Sequence, residues 1–219
     1  MSEPVLSEAI QDYLKEIYKL EAAGERATTS ALARQLEVAP SSVTAMVKKL
    51  AALGLAEHAP YKGVELTEAG RQIALEVIRH HRLLEMYLAE TLGLGIDAVH
   101  AEADRLEHVI SEELEARIDH ALGFPTHDPH GDPIPNAALK VEARKLRQLD
   151  ELQPGEEATV QRIPDGDADL LRYLAELELV PGCRIVVRKS EPFGGPVTVD
   201  VAGNEHALSR ELAGRIGVG

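Results

Sequence analysis

The hydrophobic period of this chain changes once, near residue 153, and the change limits the folds open to it. Before the Gln153-Pro154-Gly155 break, apolar residues mostly recur at helical spacing; after it they alternate in ATVQRI, CRIVVRK and PVTVDV, with one helical stretch, ADLLRYLAELEL, between the first two. The two periods cannot share one element type, so a helical body and a separate small β-rich domain, expected to be a barrel, are predicted. The fold class expected is mainly α with a β-rich C-terminal domain, divided as 1–70, 71–150 and 151–219. Aromatic residues make up 3% and Trp is absent, so the cores must be built from Leu, Ile, Val and Ala. The single Cys183 excludes an intrachain disulfide framework and any thiolate cluster site, and reads as a small buried hydrophobe. No apolar run approaches the roughly 20 residues that span a bilayer, and the start MSEPVLSEAIQDY is acidic where a signal peptide is basic. A cytoplasmic protein with no membrane partner is expected.

The net charge is −14, which taken whole argues against nucleic acid, but its distribution is uneven. Between Arg26 and Val64 five basic residues face two acidic ones, a local charge of +3 that leaves −17 for the remainder. The same region begins after a first amphipathic helix, Ser7 to Ala22, which ends at Gly24. Thr28, Thr29 and Ser30 can cap a second helix, SALARQLEVA, and Pro40, Ser41 and Ser42 open a third, running to Gly54. Two short helices joined by a tight turn, followed by two short strands around Pro60, Lys62 and Gly63, form a winged helix-turn-helix pattern. A third helix entering the major groove by its amino end would bring Ser41, Ser42, Thr44 and Ala45 nearest the base edges of double-stranded DNA. Lys48, Lys49, Tyr61 and Lys62 are better placed for phosphates. Small hydroxyl and methyl groups read bases weakly, so specificity is expected to lean on methyl contacts and DNA shape.

From Glu68 a long helix is predicted as far as Gly93, with His81 and Glu85 stacked at i, i+4. The next stretch, HAEADRLEHVISEELEARI, reads as one helix from a cap at Asp97 to about Leu122. On a helical wheel His100, Asp104, Glu107 and His108 share one side, and Val99, Ala103, Leu106, Ile110, Leu114 and Ile118 form an apolar stripe beside it. Four such groups could grip a cation, or could be the solvated face of a Glu-rich helix. The loop GFPTHDPHGDPIP is too rich in Pro and Gly for regular structure, and its His127 and His130 read as solvent-facing more readily than as ligands. Ala137 to Asp150 reads as a basic helix. Asp165, Asp167 and Asp169 sit in a loop of the last domain, free to reach elsewhere.

These segments occur in a recognisable order: D-Y-L-x-x-I-Y, P-S-S-V-T-x-M-V, H-R-L-L-E, H-x-E-x-D-x-L-E-H and D-P-H-G-D-P-I-P. In that order and combination the chain closely resembles the diphtheria toxin repressor family of metal-dependent transcription regulators, over its whole length. The resemblance implies a winged helix, a helical dimerisation domain and a small SH3-like barrel of the ferrous transport protein A type. It implies a homodimer that binds palindromic half-sites on DNA and represses metal ion uptake and homeostasis genes. It carries a primary metal site onto Asp12, Asp104, Glu107 and His108, and an ancillary site onto His81, Glu85 and His100 with a carboxylate from the last domain, Asp167 or else Asp169. Iron-responsive members have a sulfur ligand at the positions of Asp12 and Asp104, where this chain has hard oxygen. That resembles the manganese-responsive branch and implies Mn²⁺, with Fe²⁺ or both metals as the alternative. The manganese branch has a Glu where Lys15 stands, so a paired-metal arrangement is not carried over.

Without a divalent cation the clustered carboxylates repel one another and the first helix is expected to move away; a bound cation reverses the sign. An enzyme is the competing class, but the sequence has no H-E-x-x-H, no nucleophile elbow and no Gly-rich phosphate loop. A winged-helix regulator sensing an organic ligand is the other alternative.

Overall fold

A computed structural model describes residues 6–59, 63–142 and 144–219, which form two compact units. The first comprises the chain to His81 together with residues 107–110 and 135–140. Helices α1 (Glu8–Ala22), α2 (Thr29–Gln35) and α3 (Pro40–Ala52) are followed by strands β1 (Ala56–Ala59) and β2 (Gly63–Leu66) and by the long helix α4 (Glu68–Glu90). Ile10, Leu14, Ile17 and Leu20 recur at helical spacing on α1 and are buried with Leu32, Val43 and Leu50 in one aliphatic core, as the low aromatic content required. Local chemistry sets the helix starts. Thr28 Oγ1 accepts the Ala31 N–H at 3.1 Å, and Pro40 occupies the first position of α3, where its missing N–H costs nothing. Strands β1 and β2 pair antiparallel from Ala56–Leu66 to Ala59–Gly63, giving the expected wing. Glu21 accepts from Leu66 N–H at 2.8 Å and from Arg71 at 2.6 Å, fixing α1 to the wing and to the start of α4.

The second unit holds Arg82–Leu106, Ser111–Ile134 and Val141–Gly219. Here the predicted single helix over 97–122 is corrected. It is two helices, α5 (Val99–Leu106) and α6 (Glu112–Ala121). The second start is encoded: Ser111 caps α6 by accepting Leu114 N–H at 3.3 Å, and Glu112 and Glu113 follow in the first turn, where carboxylates favour the helix dipole. Glu107 and His108 therefore lie beyond the end of the helix that carries His100 and Asp104. The helix expected over 137–150 is also absent among the described residues. Asn136 Oδ1 accepts from Ala138 N–H (2.9 Å) and Lys140 N–H (3.1 Å), a local turn that competes with helix, and Leu139 has a positive φ of 55°.

The carboxy-terminal part is the expected β-rich domain. Strands β3 (Arg147–Gln148), β4 (Glu157–Arg162), β5 (Arg184–Ser190), β6 (Val197–Val201), β7 (Asn204–Leu208) and β8 (Gly217–Val218) form one antiparallel sheet in the order β3-β8-β4-β5-β6-β7. Helices α7 (Ala168–Glu176) and α8 (Arg210–Ala213) interrupt it in sequence. Irregularities at Val160/Arg162 and Val187/Lys189 bend the sheet around a core of Val160, Leu171, Leu174, Ile185, Val199 and Leu208. Cys183 is half-buried against that core. Among the described residues no helix is long and apolar enough to cross a membrane.

Candidate metal centres

On α3, burying Val43 and Leu50 turns Ser41, Ser42, Thr44, Ala45, Lys48 and Lys49 outward, all six exposed. Thr44 Oγ1 donates to the Pro40 carbonyl at 3.0 Å, so its hydroxyl proton is spent within the helix and its methyl remains. Tyr61 and Lys62, the other expected DNA contacts, lie outside the described residues.

The first cluster belongs to the first unit. Helix α1 buries Leu14 and Lys15 and leaves Asp12 half-buried beside residues 107–110. His108 Nε2 lies 3.0 Å from Asp12 Oδ1 and 3.4 Å from Glu107 Oε1. These separations are close to the roughly 3 Å edge of an octahedron with bonds of about 2.1 Å. His108 Nδ1 donates to Gln11 Oε1 at 2.6 Å, which turns the Nε2 lone pair toward the two carboxylates. A lone pair facing two ionised oxygens is repulsive unless a proton or a cation stands between them, so the donor set fits a metal ion. Glu107 is almost fully buried: Oε1 accepts from Lys15 Nζ and Oε2 from His81 Nδ1, each at 2.6 Å, while its carbonyl accepts from His80 Nδ1 at 3.1 Å. Burial works to raise the Glu107 pKa, but the His81 hydrogen bond and the Lys15 charge outweigh it and hold the carboxyl below its ordinary value. For Asp12 burial wins over the nearby His108 and Lys15, and the pKa is raised.

Of the remaining expected ligands, His81 belongs to the first unit and Glu85, His100 and Asp104 to the second. Asp104 is exposed on α5, with Oδ2 at 3.6 Å from His100 Nε2. Of the ancillary set, His81 lies against Glu107, whereas Glu85 Oε1 meets His100 Nδ1 at 3.0 Å in the second unit. Asp167 Oδ1 caps α7, accepting from Asp169 N–H at 3.0 Å and Leu170 N–H at 3.1 Å. Asp169 pairs with Arg172.

A second cluster, Glu85, Asp128 and His130, is wholly buried. The loop expected to expose His130 hides it completely, while His127 is exposed. The reason is a pinned turn. Asp128 Oδ1 accepts from His130 and Asp132 N–H, both at 2.9 Å, and Ile163 N–H donates to the His130 carbonyl at 2.9 Å. Gly131, at φ 90°, presses on β4 so closely that a Cβ would meet the Gln161 carbonyl oxygen at 1.9 Å. His130 Nε2 donates to the Ile96 carbonyl at 3.1 Å. Nδ1 then points between Glu85 Oε2 (3.7 Å) and Asp128 Oδ1 (4.0 Å), buried and without a hydrogen bond of ordinary length. Burial alone would lower the His130 pKa, but Glu85 and Asp128 raise it to about 9. Burial, reinforced by the Glu85 and Asp132 charges, raises Asp128 to about 7. Two carboxylates and an aimed, unsatisfied imidazole nitrogen form a second donor set that suits a hard or borderline cation. A His spaced two residues from an Asp in a Pro-Gly turn was the available signal.

Three family descriptions match in sequence along the chain: iron dependent repressor, N-terminal DNA binding domain (residues 5–64); iron dependent repressor, metal binding and dimerisation domain (67–136); and FeoA domain (147–219). The iron-dependent repressor IdeR of Mycobacterium tuberculosis is 35% identical over 221 residues, covering 95% of each chain. The chain belongs to the diphtheria toxin repressor family. The diphtheria toxin repressor of Corynebacterium efficiens is 38% identical over 133 residues, covering 61% of this chain and 58% of that one. Among solved structures, a manganese-dependent transcriptional repressor in complex with manganese superposes with a TM-score of 0.88 at 40% identity, covering 95% of this chain and 98% of the other. Members of this family are metal-dependent, DNA-binding transcriptional repressors, and the chain is accordingly a repressor and not an enzyme.

Proposed function

We propose that this repressor is activated by Mn²⁺ held by Asp12, Glu107 and His108, and that it then represses genes of metal ion uptake and homeostasis. The observation that carries the reading is the Nε2 atom of His108, oriented by Gln11 toward Asp12 and Glu107. Asp104 is proposed as a fourth ligand on the family pattern alone. Glu85, Asp128 and His130, with His100 beside Glu85, are proposed as a second cation site; His81 serves the first cluster through Glu107. The metal would supply positive charge that holds the carboxylates together and would take the imidazole nitrogens of His108 and His130 as ligands.

Asp12 belongs to the first helix of the winged-helix region, and Glu107 and His108 to the segment between α5 and α6. Joining them restrains α1, and a bias of a few kcal/mol toward the DNA-competent arrangement is enough for a switch. Ser41, Ser42, Thr44 and Ala45 would face base edges and Lys48 and Lys49 phosphates. Tyr61 and Lys62 would join the phosphate contacts, and a two-fold dimer would place two such helices on palindromic half-sites. The three matched segments support a division near residues 70 and 150, and a cytoplasmic location fits this work.

Iron is the second reading, favoured by the full-length similarity to an iron-dependent repressor. Against it stands a donor set of oxygen and imidazole nitrogen, which suits the ion lowest in the Irving–Williams order. The test is retention of source-genome fragments at fixed salt, first with chelator and then with Mn²⁺ or Fe²⁺ under anaerobic conditions. Retention with Mn²⁺ alone supports the proposal, retention with Fe²⁺ alone supports the second reading, and equal retention with chelator overturns both.

A further inference from the structure

We propose that the Lys15 ammonium is an internal competitor of the divalent cation, sharing its carboxylate oxygen and thereby weakening the first site to a working range. The inference rests on the reading of Asp12, Glu107 and His108 as that site. Lys15 is 6% exposed, unusual for a lysine, and its Nζ lies 2.6 Å from Glu107 Oε1. The same oxygen faces His108 Nε2 at 3.4 Å, so Lys15 holds the Glu107 oxygen that belongs to the ligand set, while His81 holds the other. Lys15 stands three residues after Asp12 on α1, one turn along the same helix side.

A protonated lysine has no lone pair and cannot be a ligand. Its charge neutralises Glu107 and repels another cation drawn to that carboxylate. The Glu107 side chain is fully hidden from solvent and that of Lys15 8% exposed, so this repulsion is poorly screened by water or salt. The ammonium is tethered, so its local concentration never falls. A monovalent ion brings no more charge than Lys15 already supplies, whereas a divalent ion does. The arrangement therefore disfavours filling by abundant monovalent ions and sets a threshold for divalent ones.

The test is titration of Mn²⁺ into the full-length protein after chelation, in a Glu85→Gln background that silences the second cluster. Lys15→Gln keeps a donor toward Glu107 and removes the charge; Lys15→Met removes both; Lys15→Arg keeps the charge. Both neutral variants should bind Mn²⁺ at least about tenfold tighter, with Lys15→Arg within about threefold of the parent. General damage to the fold weakens binding and cannot produce that gain. Neutral variants that stay folded and bind no tighter than the parent overturn the proposal. Should they fail to fold, unmodified protein is treated with an imidoester with and without Cd²⁺: faster modification of Lys15 with the cation supports competition, and an unchanged rate overturns it. Failure of the underlying reading is separately visible, because Asp12→Asn and His108→Ala would then leave Mn²⁺ binding intact in the parent.

Discussion

Gln11 Oε1 accepts a hydrogen bond from His108 Nδ1 at 2.6 Å, and this contact between α1 and the 107–110 segment fixes which imidazole nitrogen faces Asp12. Replacing Gln11 by Leu leaves Nδ1 without its acceptor and frees the ring to turn. Mn²⁺ affinity should drop about 10–100-fold with the fold retained, by titration calorimetry and circular dichroism. Unaltered affinity would mean that His108 is held by something other than Gln11.

His130 and Asp128 both bind protons more tightly in the folded chain than their ordinary values of 6.5 and 3.8 allow. The sign is the same for both: their stabilising contribution is greatest at low pH. It is lost for Asp128 as pH rises through about 7 and for His130 as it rises through about 9. In chelator, melting temperature should therefore fall from pH 6.5 toward 9, and His130→Gln should remove that part of the slope. Cation affinity at the second cluster should move the opposite way and strengthen with pH.

Gly131→Ala puts a methyl group 1.9 Å from the Gln161 carbonyl oxygen at a φ of 90°. The substitution should cost more than about 1 kcal/mol in urea unfolding and displace the turn that carries Asp128 and His130. The second cation should be bound more weakly while the first is bound as before.

Lys48→Ala and Lys49→Ala remove exposed charges from α3. Each should weaken binding to all DNA sequences alike and reduce the slope of log affinity against log salt by about 1, measured by fluorescence anisotropy. A change confined to one base position would instead assign that lysine to base readout.

Asp167→Ala removes the cap of α7. Stability should drop by about 1 kcal/mol in denaturant unfolding, with the Mn²⁺ dependence of DNA binding unchanged. Loss of the metal response would assign Asp167 to the ligand set, as the family pattern implies.

The winged helix and the barrel were legible because their signals are local. Thr28 and Pro40 mark helix starts within a few residues, and the alternation of PVTVDV needs no distant partner. The break between α5 and α6 is hidden in the sequence because helical periodicity runs on through Ile110, while the cap at Ser111 is a single-residue signal. Glu107 and His108 stand out on the helical wheel, but Asp12 joins them only through the family motifs, since residues 96 positions apart come together by tertiary folding. The Pro-Gly surroundings of His130 point to solvent, yet its burial is decided by Ile163 and Ile96, which no neighbouring residue announces. Gln11 carried no signal beyond standing next to Asp12.

The hydrogen bond from Ile163 N–H to the His130 carbonyl attaches the second cluster to the end of β4. The barrel is thus a wall of one of the two proposed metal sites, while Asp12, Glu107 and His108 all lie outside it. Viewed as dose and response, a chain with both sites would answer rising metal in two steps. A chain shortened before residue 147 would keep Glu85, Asp128 and His130 but lose the Ile163 N–H that holds their turn, so the second step would be the weaker and less sharply set one.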